Sequence, residues 1–191
     1  MSREDYILTD GEKCLHSIFD DKNIVNKYAK INYFEILNGE GIGNTLFLQG
    51  CSNGCKACYN KSTWDFNGGE NFTEEIYKKL MNTYFNIPEL DRLTLCGGEP
   101  LQNLTISNYV AAEFKRLFPN KKLWIYTGLK YEDIKNDLKY KAILELCDVL
   151  VDGRFELDKR DLTLKWRGSS NQRVIDVQKS LKQEKIVLYC D

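Results

Sequence analysis

Strand and helix patterns alternate along most of this chain, and this alternation limits the possible folds more than any other feature. Short apolar strand patterns occur at Thr45–Gln49, Arg92–Cys96, Lys122–Tyr126 and Asp148–Val151. Segments with helical periodicity separate them, at Thr73–Phe85, Thr105–Leu117 and Tyr131–Leu146. Alternation at this spacing predicts βαβ units, and therefore an α/β fold with a mainly parallel sheet. Such folds carry their chemistry at the carboxyl ends of the strands.

The two ends of the chain are less regular. Residues 1–30 are polar and weakly periodic, so they are interpreted as an N-terminal extension, with Cys14 and His16 as bystanders. Residues 31–191 are predicted to form a single domain, which suits a chain of 191 residues. Three more strands are predicted within it, at Ile31–Leu37, Arg173–Val177 and Ile186–Tyr189.

Charge and composition exclude several classes of function. The chain has 27 basic and 28 acidic residues, a net charge of −1, which argues against broad binding to nucleic acid or to an acidic membrane surface. No apolar run approaches the ~18 residues of a membrane span, and the N-terminus lacks a signal-peptide pattern. We therefore expect a cytoplasmic protein. In that compartment the seven cysteines, an odd number, indicate metal binding or catalysis more than disulfides.

Three of these cysteines lie in one loop directly after a predicted strand. Cys51, Cys55 and Cys58 have the spacing C-x3-C-x2-C, and Gly50 and Gly54 let the backbone bend around a small bound group. A structural zinc normally takes four ligands in two separated pairs, and an iron–sulfur cluster usually takes four cysteines. On a four-iron cluster, three cysteines would leave one iron open. A zinc completed by a distant residue and buried inert thiols are the alternatives.

The other strand ends also carry candidate residues. Gly97, Gly98 and Glu99 follow the second strand. Glycines let the backbone approach a ligand, and a carboxylate can accept a hydrogen bond from an ammonium group of that ligand. Thr127-Gly128 follows the third strand and Asp152-Gly153-Arg154 the fourth. Taken alone, each of these segments is also an ordinary turn or cap.

The cysteine triplet followed one βα unit later by Gly-Gly-Glu resembles the radical S-adenosylmethionine enzymes. The resemblance implies that Cys51, Cys55 and Cys58 hold a [4Fe–4S] cluster whose open iron binds S-adenosylmethionine. It implies that Glu99 binds the methionine amino group and that Tyr59 lies along the adenine. The complete set of cofactor-binding residues that it implies is Ala57, Tyr59, Gly97, Gly98, Glu99, Thr127 and Asp152. The match at Asp152 is approximate, since Arg154 stands where some activating enzymes have lysine, and Cys96 receives no role.

Two further segments resemble one branch of that family, the activating proteins of anaerobic ribonucleoside-triphosphate reductase. They are residues 58–64 and 166–176, and the second would otherwise be a hydrogen-bonded loop with surface ion pairs. The resemblance runs from about Ile31 to Tyr189. It implies an abbreviated, open (β/α) partial barrel, since the chain is too short for a full barrel of about 250 residues.

The same resemblance implies a function. Electron transfer from the reduced cluster would cleave S-adenosylmethionine to a 5′-deoxyadenosyl radical, which would take a hydrogen atom from a glycine of the large reductase subunit. The implied partners are that subunit and a flavodoxin- or ferredoxin-like electron donor, with a homodimer left open. Two alternatives remain: an activase of another glycyl-radical enzyme, of the formate lyase type, and a non-enzymatic zinc-binding module. Residues 166–176 and the lack of a ferredoxin-like cysteine insert argue against the first.

Overall fold

The computed structural model describes residues 18–19 and 26–190. Cys14, His16 and most of the predicted extension lie outside the described residues. The first strand begins at Lys27, inside the predicted extension, because it pairs with the first strand of the parallel group. The division into residues 1–30 and 31–191 stays a prediction.

Seven strands form one mixed sheet in the part of the chain that the structure describes. Their bounds are β1 Lys27–Glu35, β2 Gly43–Leu48, β3 Glu70–Asn71, β4 Arg92–Gly97, β5 Lys122–Tyr126, β6 Val149–Asp152 and β7 Arg173–Asp176. The spatial order is β3-β1-β2-β4-β5-β6-β7, with β2, β4, β5 and β6 parallel and with antiparallel pairings at both edges.

The α/β class is therefore confirmed, and the predicted parallel strands form the centre of the sheet. Its edges are antiparallel because no crossover helix joins β1 to β2 or β6 to β7, and parallel neighbours need such a connection. The sheet is thus mixed rather than parallel throughout. A partial barrel of the radical S-adenosylmethionine type stays a prediction.

Among the described residues, four helices connect the parallel strands, and a fifth follows β7. Their bounds are α1 Glu74–Asn86, α2 Leu104–Leu117, α3 Tyr131–Ile134, α4 Leu138–Leu146 and α5 Val177–Gln183. Thr73 is the N-cap of α1 as predicted, and its side chain accepts a hydrogen bond from the Ile76 N–H. No helix among the described residues is long and apolar enough to cross a membrane.

Two predicted elements differ from the structure. The single helix predicted over Tyr131–Leu146 is two helices, because the Asp137 side chain accepts from the Lys139 N–H and starts a new helix there. The strand predicted at Ile186–Tyr189 is reduced to an isolated bridge between Leu188 and Ile175. This segment still lies along β7, since the Tyr189 N–H donates to Val174 O at 2.8 Å.

The two faces of the sheet have different environments. One face is aliphatic and packs against the helices in the main core, through Leu46, Leu48, Leu93, Leu95, Leu123, Ile125 and Leu150. The opposite face carries polar and aromatic side chains in register across the strands, namely Thr45, Arg92, Thr94, Cys96, Trp124 and Tyr126. Because side chains alternate along a strand, each parallel strand contributes to both faces. On the second face, Cys96 and Tyr126 lie near the carboxyl ends of β4 and β5, where the candidate site lies.

Candidate functional site

Hydrogen bonds from main-chain N–H groups bring the predicted strand ends together at one edge of the sheet. The Gly98 N–H donates to Leu48 O at 2.8 Å, and the Glu99 N–H donates to Gly50 O at 2.9 Å. The Gly128 N–H donates to Glu99 Oε2 at 2.7 Å. The ends of β2, β4 and β5 are thus in direct contact, as the register of parallel strands requires.

The two glycines after β4 allow this close approach. A Cβ atom on Gly98 would lie 2.4 Å from Gly50 O, which is closer than atoms can pack. Gly97 has φ +97°, and a Cβ there would lie 2.7 Å from the Phe47 Cα. Glycine is therefore required at Gly97 for the packing of β4 against β2, and at Gly98 for the packing of the cysteine loop on β4. Their contact with S-adenosylmethionine stays a prediction.

The cysteine loop is fixed by its own backbone. The Gly50 N–H donates to Thr63 O at 2.8 Å and the Cys51 N–H to Trp64 O at 3.0 Å. Ala57 has φ +57°, a left-handed conformation that turns the chain between the second and third cysteines. The next aromatic residue, Tyr59, is 99% exposed. Its ring is thus free to meet a ligand above the loop.

The three thiols are unpaired and partly exposed, and a backbone N–H group is directed at one of the sulfurs. The Asn53 N–H donates to Cys51 Sγ at 3.4 Å. Burial raises the pKa of the Cys51 and Cys55 thiols, and the neighbouring backbone N–H groups of Asn53 and Phe155 act in the opposite direction. N–H donors of this kind support thiolate ligands of metal centres.

The donor set of this loop fits an iron–sulfur cluster. Three thiols lie in one loop, and the Asn53 N–H is a donor for the negative charge that metal-bound sulfur carries. In residues 18–19 and 26–190, no group of three or more His, Cys, Asp or Glu side chains is placed to hold a single metal ion.

Glu99 lies beside this loop and is almost completely buried, at 1% exposure. Its Oε1 accepts from the Leu101 N–H at 3.1 Å, and its Oε2 accepts from Asn53 Nδ2 at 2.8 Å as well as from Gly128. Burial raises the pKa of this carboxyl group, and the neighbouring Thr127 hydroxyl acts in the opposite direction. Within the described ranges, no Lys or Arg side chain forms an ion pair with it.

A buried carboxylate with only neutral partners can take a cationic ligand. The uncompensated charge is costly to bury, and a bound ammonium group would both neutralise it and donate hydrogen bonds. The sequence analysis singled out Glu99 and Thr127 but missed Asn53. The sequence feature that could have indicated Asn53 is its position between the first two cysteines. In the structure its amide lies against Gly128, after the end of β5.

Asp152, at the end of β6, already has a cationic partner. Its carboxylate accepts from two guanidinium nitrogens of Arg173, with Nε at 2.9 Å, and from the Tyr131 N–H at 2.8 Å. Arg173 also binds both oxygens of Glu132, at 2.8 and 2.7 Å. This partly buried pair differs from the surface ion pairs of the alternative interpretation of residues 166–176. A contact of Asp152 with the cofactor stays a prediction.

The fourth cysteine near the site, Cys96, is on β4 rather than in the loop. It is buried, and burial raises the pKa of its thiol to about 12. At neutral pH it is therefore protonated, unlike a metal-bound thiolate.

Comparisons with known proteins agree with this geometry. A sequence model of the 4Fe-4S single cluster domain family matches residues 37–175. The anaerobic ribonucleoside-triphosphate reductase-activating protein of Pasteurella multocida is 40% identical over 148 residues, which cover 76% of this chain and 94% of that protein. The proteins of the same name from Escherichia coli K12 and Enterobacteria phage T4 are each 38% identical, over 73% and 77% of this chain and 92% of their own lengths. The chain therefore belongs to the family of anaerobic ribonucleoside-triphosphate reductase-activating proteins.

Proposed function

We propose that this chain activates an anaerobic ribonucleoside-triphosphate reductase by reductive cleavage of S-adenosylmethionine, leaving a glycyl radical on the large reductase subunit. The observation that carries the proposal is the placement of Glu99. It is a buried acid with neutral donors only, directly beside a loop with three free thiols. One site thus offers a place for a cluster and a place for an ammonium group. The names of the relatives supply the reaction in which both are used.

In this proposal Cys51, Cys55 and Cys58 hold the cluster, and the Asn53 N–H group supports the first sulfur. The cluster, when bound, supplies the electron that cleaves the sulfonium C–S bond. Three protein thiolates leave one iron of a four-iron cluster for S-adenosylmethionine. The protein's own contribution is to bind and orient the cofactor and to keep water from the site.

Glu99 would accept hydrogen bonds from the methionine ammonium group. The Leu101 and Gly128 N–H groups keep its carboxylate oriented, and Asn53 can give up its bond to the arriving ammonium. Gly97 and Gly98 let the ligand approach the backbone. Such a charge-assisted hydrogen bond is about twice as strong as a neutral one.

The remaining cofactor residues would complete the site. Tyr59 presents an exposed ring on which an adenine can stack, and Ala57 sets the turn that presents it. Thr127, which follows β5 beside Glu99, would face the cofactor. Asp152 would face it from the end of β6, where its pair with Arg173 fixes the carboxylate.

The test is anaerobic reconstitution with iron and sulfide, followed by a reductant, S-adenosylmethionine and the cognate reductase. We expect a brown protein, 5′-deoxyadenosine and a glycyl-radical doublet in the EPR spectrum of the large subunit. Formation of 5′-deoxyadenosine without that doublet would reject the partner and keep the cofactor chemistry. A doublet on a formate lyase type enzyme instead would favour the other class of activase. A colourless protein with one zinc would reject the cluster.

A further inference from the structure

Asn53 forms hydrogen bonds to both parts of the candidate site. Its backbone N–H donates to Cys51 Sγ at 3.4 Å, and its side-chain Nδ2 donates to Glu99 Oε2 at 2.8 Å. A carboxylate only accepts hydrogen bonds, so the nitrogen end of the amide is the end that faces Glu99. The loop of three cysteines and the buried acid are therefore joined through this side chain.

The Asn53 amide is packed closely against Gly128. A Cβ atom on Gly128 would lie 2.3 Å from Asn53 Nδ2 and 3.0 Å from its Cγ, so a larger residue would push the amide away. Gly128 itself donates its N–H to Glu99 Oε2 at 2.7 Å. This oxygen therefore receives two donors at once, one from each side. A carboxylate oxygen accepts about two hydrogen bonds, so both positions on Oε2 are taken.

The two donors on this oxygen differ in how easily they can leave. The Gly128 N–H belongs to the main chain just after β5, and the preceding Thr127 N–H donates to Val151 O at 2.9 Å, which fixes this backbone to β6. The Asn53 amide is instead at the end of a side chain, which can rotate into another staggered conformation. An ammonium group that approaches Oε2 would therefore replace Asn53 rather than Gly128.

The cysteine loop is anchored before Asn53 and has open space after it. The Ser52 N–H donates to Gln102 Oε1, and Gln102 Nε2 donates to Ser52 Oγ, both at 2.9 Å. Gly54, on the other side, is exposed and has φ +64°. Among the described residues, no atom outside its chain neighbours lies within 4 Å of a Cβ placed on Gly54. The Asn53 amide thus has room to move while the loop stays anchored at Ser52.

We propose that Asn53 is a positioning residue that competes with the methionine ammonium group for Glu99, and thereby weakens the binding of S-adenosylmethionine and of the product methionine. This inference rests on the proposed function, because it takes Glu99 as the acid that binds the ammonium group. Whenever no ammonium is bound, the amide partly satisfies a buried carboxylate, which stabilises the fold. Both molecules carry the same ammonium group, so both lose affinity by the same factor. The competition thus favours release of methionine after cleavage.

The test is anaerobic calorimetric titration of the reconstituted protein with S-adenosylmethionine and, separately, with methionine. The cluster is kept oxidised, so that no cleavage occurs. For Asn53→Ala we expect about tenfold tighter binding of both, since binding no longer breaks a hydrogen bond to a charged group. Without either molecule, the same variant should unfold at a lower urea concentration, because Glu99 loses a partner. A residue that only supports the loop would lower stability without a gain in affinity. Unchanged or weaker binding would therefore overturn the inference.

Gln102→Ala is the matched control. The Gln102 side chain also holds the cysteine loop, but its hydrogen bonds go to Ser52, one residue before Asn53, rather than to Glu99. This variant should loosen the same loop and bring no gain in affinity for S-adenosylmethionine or methionine. A gain as large as that of Asn53→Ala would assign the effect to loosening of the loop instead of competition for Glu99, and the inference would be wrong.

A double-mutant cycle tests whether Glu99 carries the effect. In the Glu99→Gln background, Asn53→Ala should bring no gain in affinity, because the charged acceptor for which the two donors compete is gone. Asn53→Ser, whose shorter side chain withdraws the donor from Glu99, takes the place of the alanine variant if that variant does not fold or loses its cluster.

The outcomes separate this inference from the proposed function. An equal gain in both backgrounds of the cycle would contradict the inference and leave the proposed function standing. If the wild-type chain takes up no cluster, or binds no S-adenosylmethionine once the cluster is in place, the proposed function fails and the inference fails with it.

Discussion

The parallel strands have a polar network at each end, and the two networks differ in whether their buried charge has a partner of opposite charge. At the amino ends, the fully buried Arg92 donates from Nη2 to Glu35 Oε1 at 2.8 Å and from Nη1 to Thr94 Oγ1 at 2.8 Å. At the carboxyl ends, the equally buried Glu99 has neutral donors and, among the described residues, no cation. Arg92 thus has its counter-charge within the fold, whereas Glu99 has room in its charge balance for a cationic ligand.

The turn between β1 and β2 closes the amino ends of the strands. Thr94 Oγ1 donates to Asn38 O at 2.8 Å, and Gly39 packs so tightly that a Cβ would lie 2.7 Å from the Arg92 side chain. Glu40 accepts hydrogen bonds from Lys122 and Tyr189. The glycine-rich turn therefore serves packing at this end, as Gly97 and Gly98 do at the other end.

The largest expected effect is at the carboxyl ends. Cys55→Ala should abolish cluster binding and all cleavage of S-adenosylmethionine, because a two-thiol loop no longer holds the cluster. Iron and sulfide content and 5′-deoxyadenosine formation measure this. Cys190→Ala, outside the loop, is the control and should retain both. Turnover by the Cys55 variant would show that the cluster assignment is wrong.

At the amino ends, the comparison predicts a loss of stability instead. Arg92→Met leaves Glu35 and Thr94 without their cationic partner, and we expect the free energy of unfolding to fall by about 3–5 kcal/mol. Urea denaturation of the cluster-free protein measures it. The double variant Arg92→Met with Glu35→Gln should recover part of the loss. Equal stability of the single and double variants would contradict a role for the pair in folding.

Glu99→Gln should affect binding of the ligand. Loss of one charge-assisted hydrogen bond predicts about 10- to 100-fold weaker binding of S-adenosylmethionine to the reconstituted protein. Calorimetric titration measures the affinity, and the cluster content should stay at the wild-type value. An unchanged affinity would mean that Glu99 is a structural residue like Arg92, and the contrast between the two ends would disappear.

The smallest expected effect concerns the ion pair between Arg173 and Glu132, near the end of β6. Arg173 lowers the pKa of Glu132 from 4.5 to about 2. Because the folded-state pKa is lowered, the contribution of this carboxylate is present above pH 4.5 and is lost as the pH falls toward 2. Half of the Glu132 side chain is exposed, so we expect at most about 1 kcal/mol.

Thermal unfolding from pH 7 to pH 2 tests this expectation. The wild-type protein should be slightly more stable than Glu132→Gln at neutral pH, and the difference should vanish in the acid range. High salt at neutral pH should narrow it as well, since screening weakens an exposed ion pair. A difference that is the same at every pH would assign the effect to packing.

Local patterns predicted most of the elements that form the site. The cysteine spacing, the two glycines before Glu99 and the Thr73 cap depend on residues close together in the chain, so they were visible in the sequence. The break before α4 was not visible, because the apolar periodicity continues across it while Asp137 caps a new helix. There a short side-chain hydrogen bond outweighs the helical pattern.

The sequence by itself determined the α/β class, the candidate residues at the ends of the parallel strands, and the thiols available for a cluster. Only the tertiary structure decided which charges are neutralised. Arg173 meets Asp152 because β7 runs antiparallel to β6 in one register, and Glu99 meets Asn53 and Gly128 because three strand ends converge. Whether a buried charge is neutralised depends on residues that are distant in the chain. Tertiary packing brings these residues together, and the spacing of residues in the sequence does not reveal them.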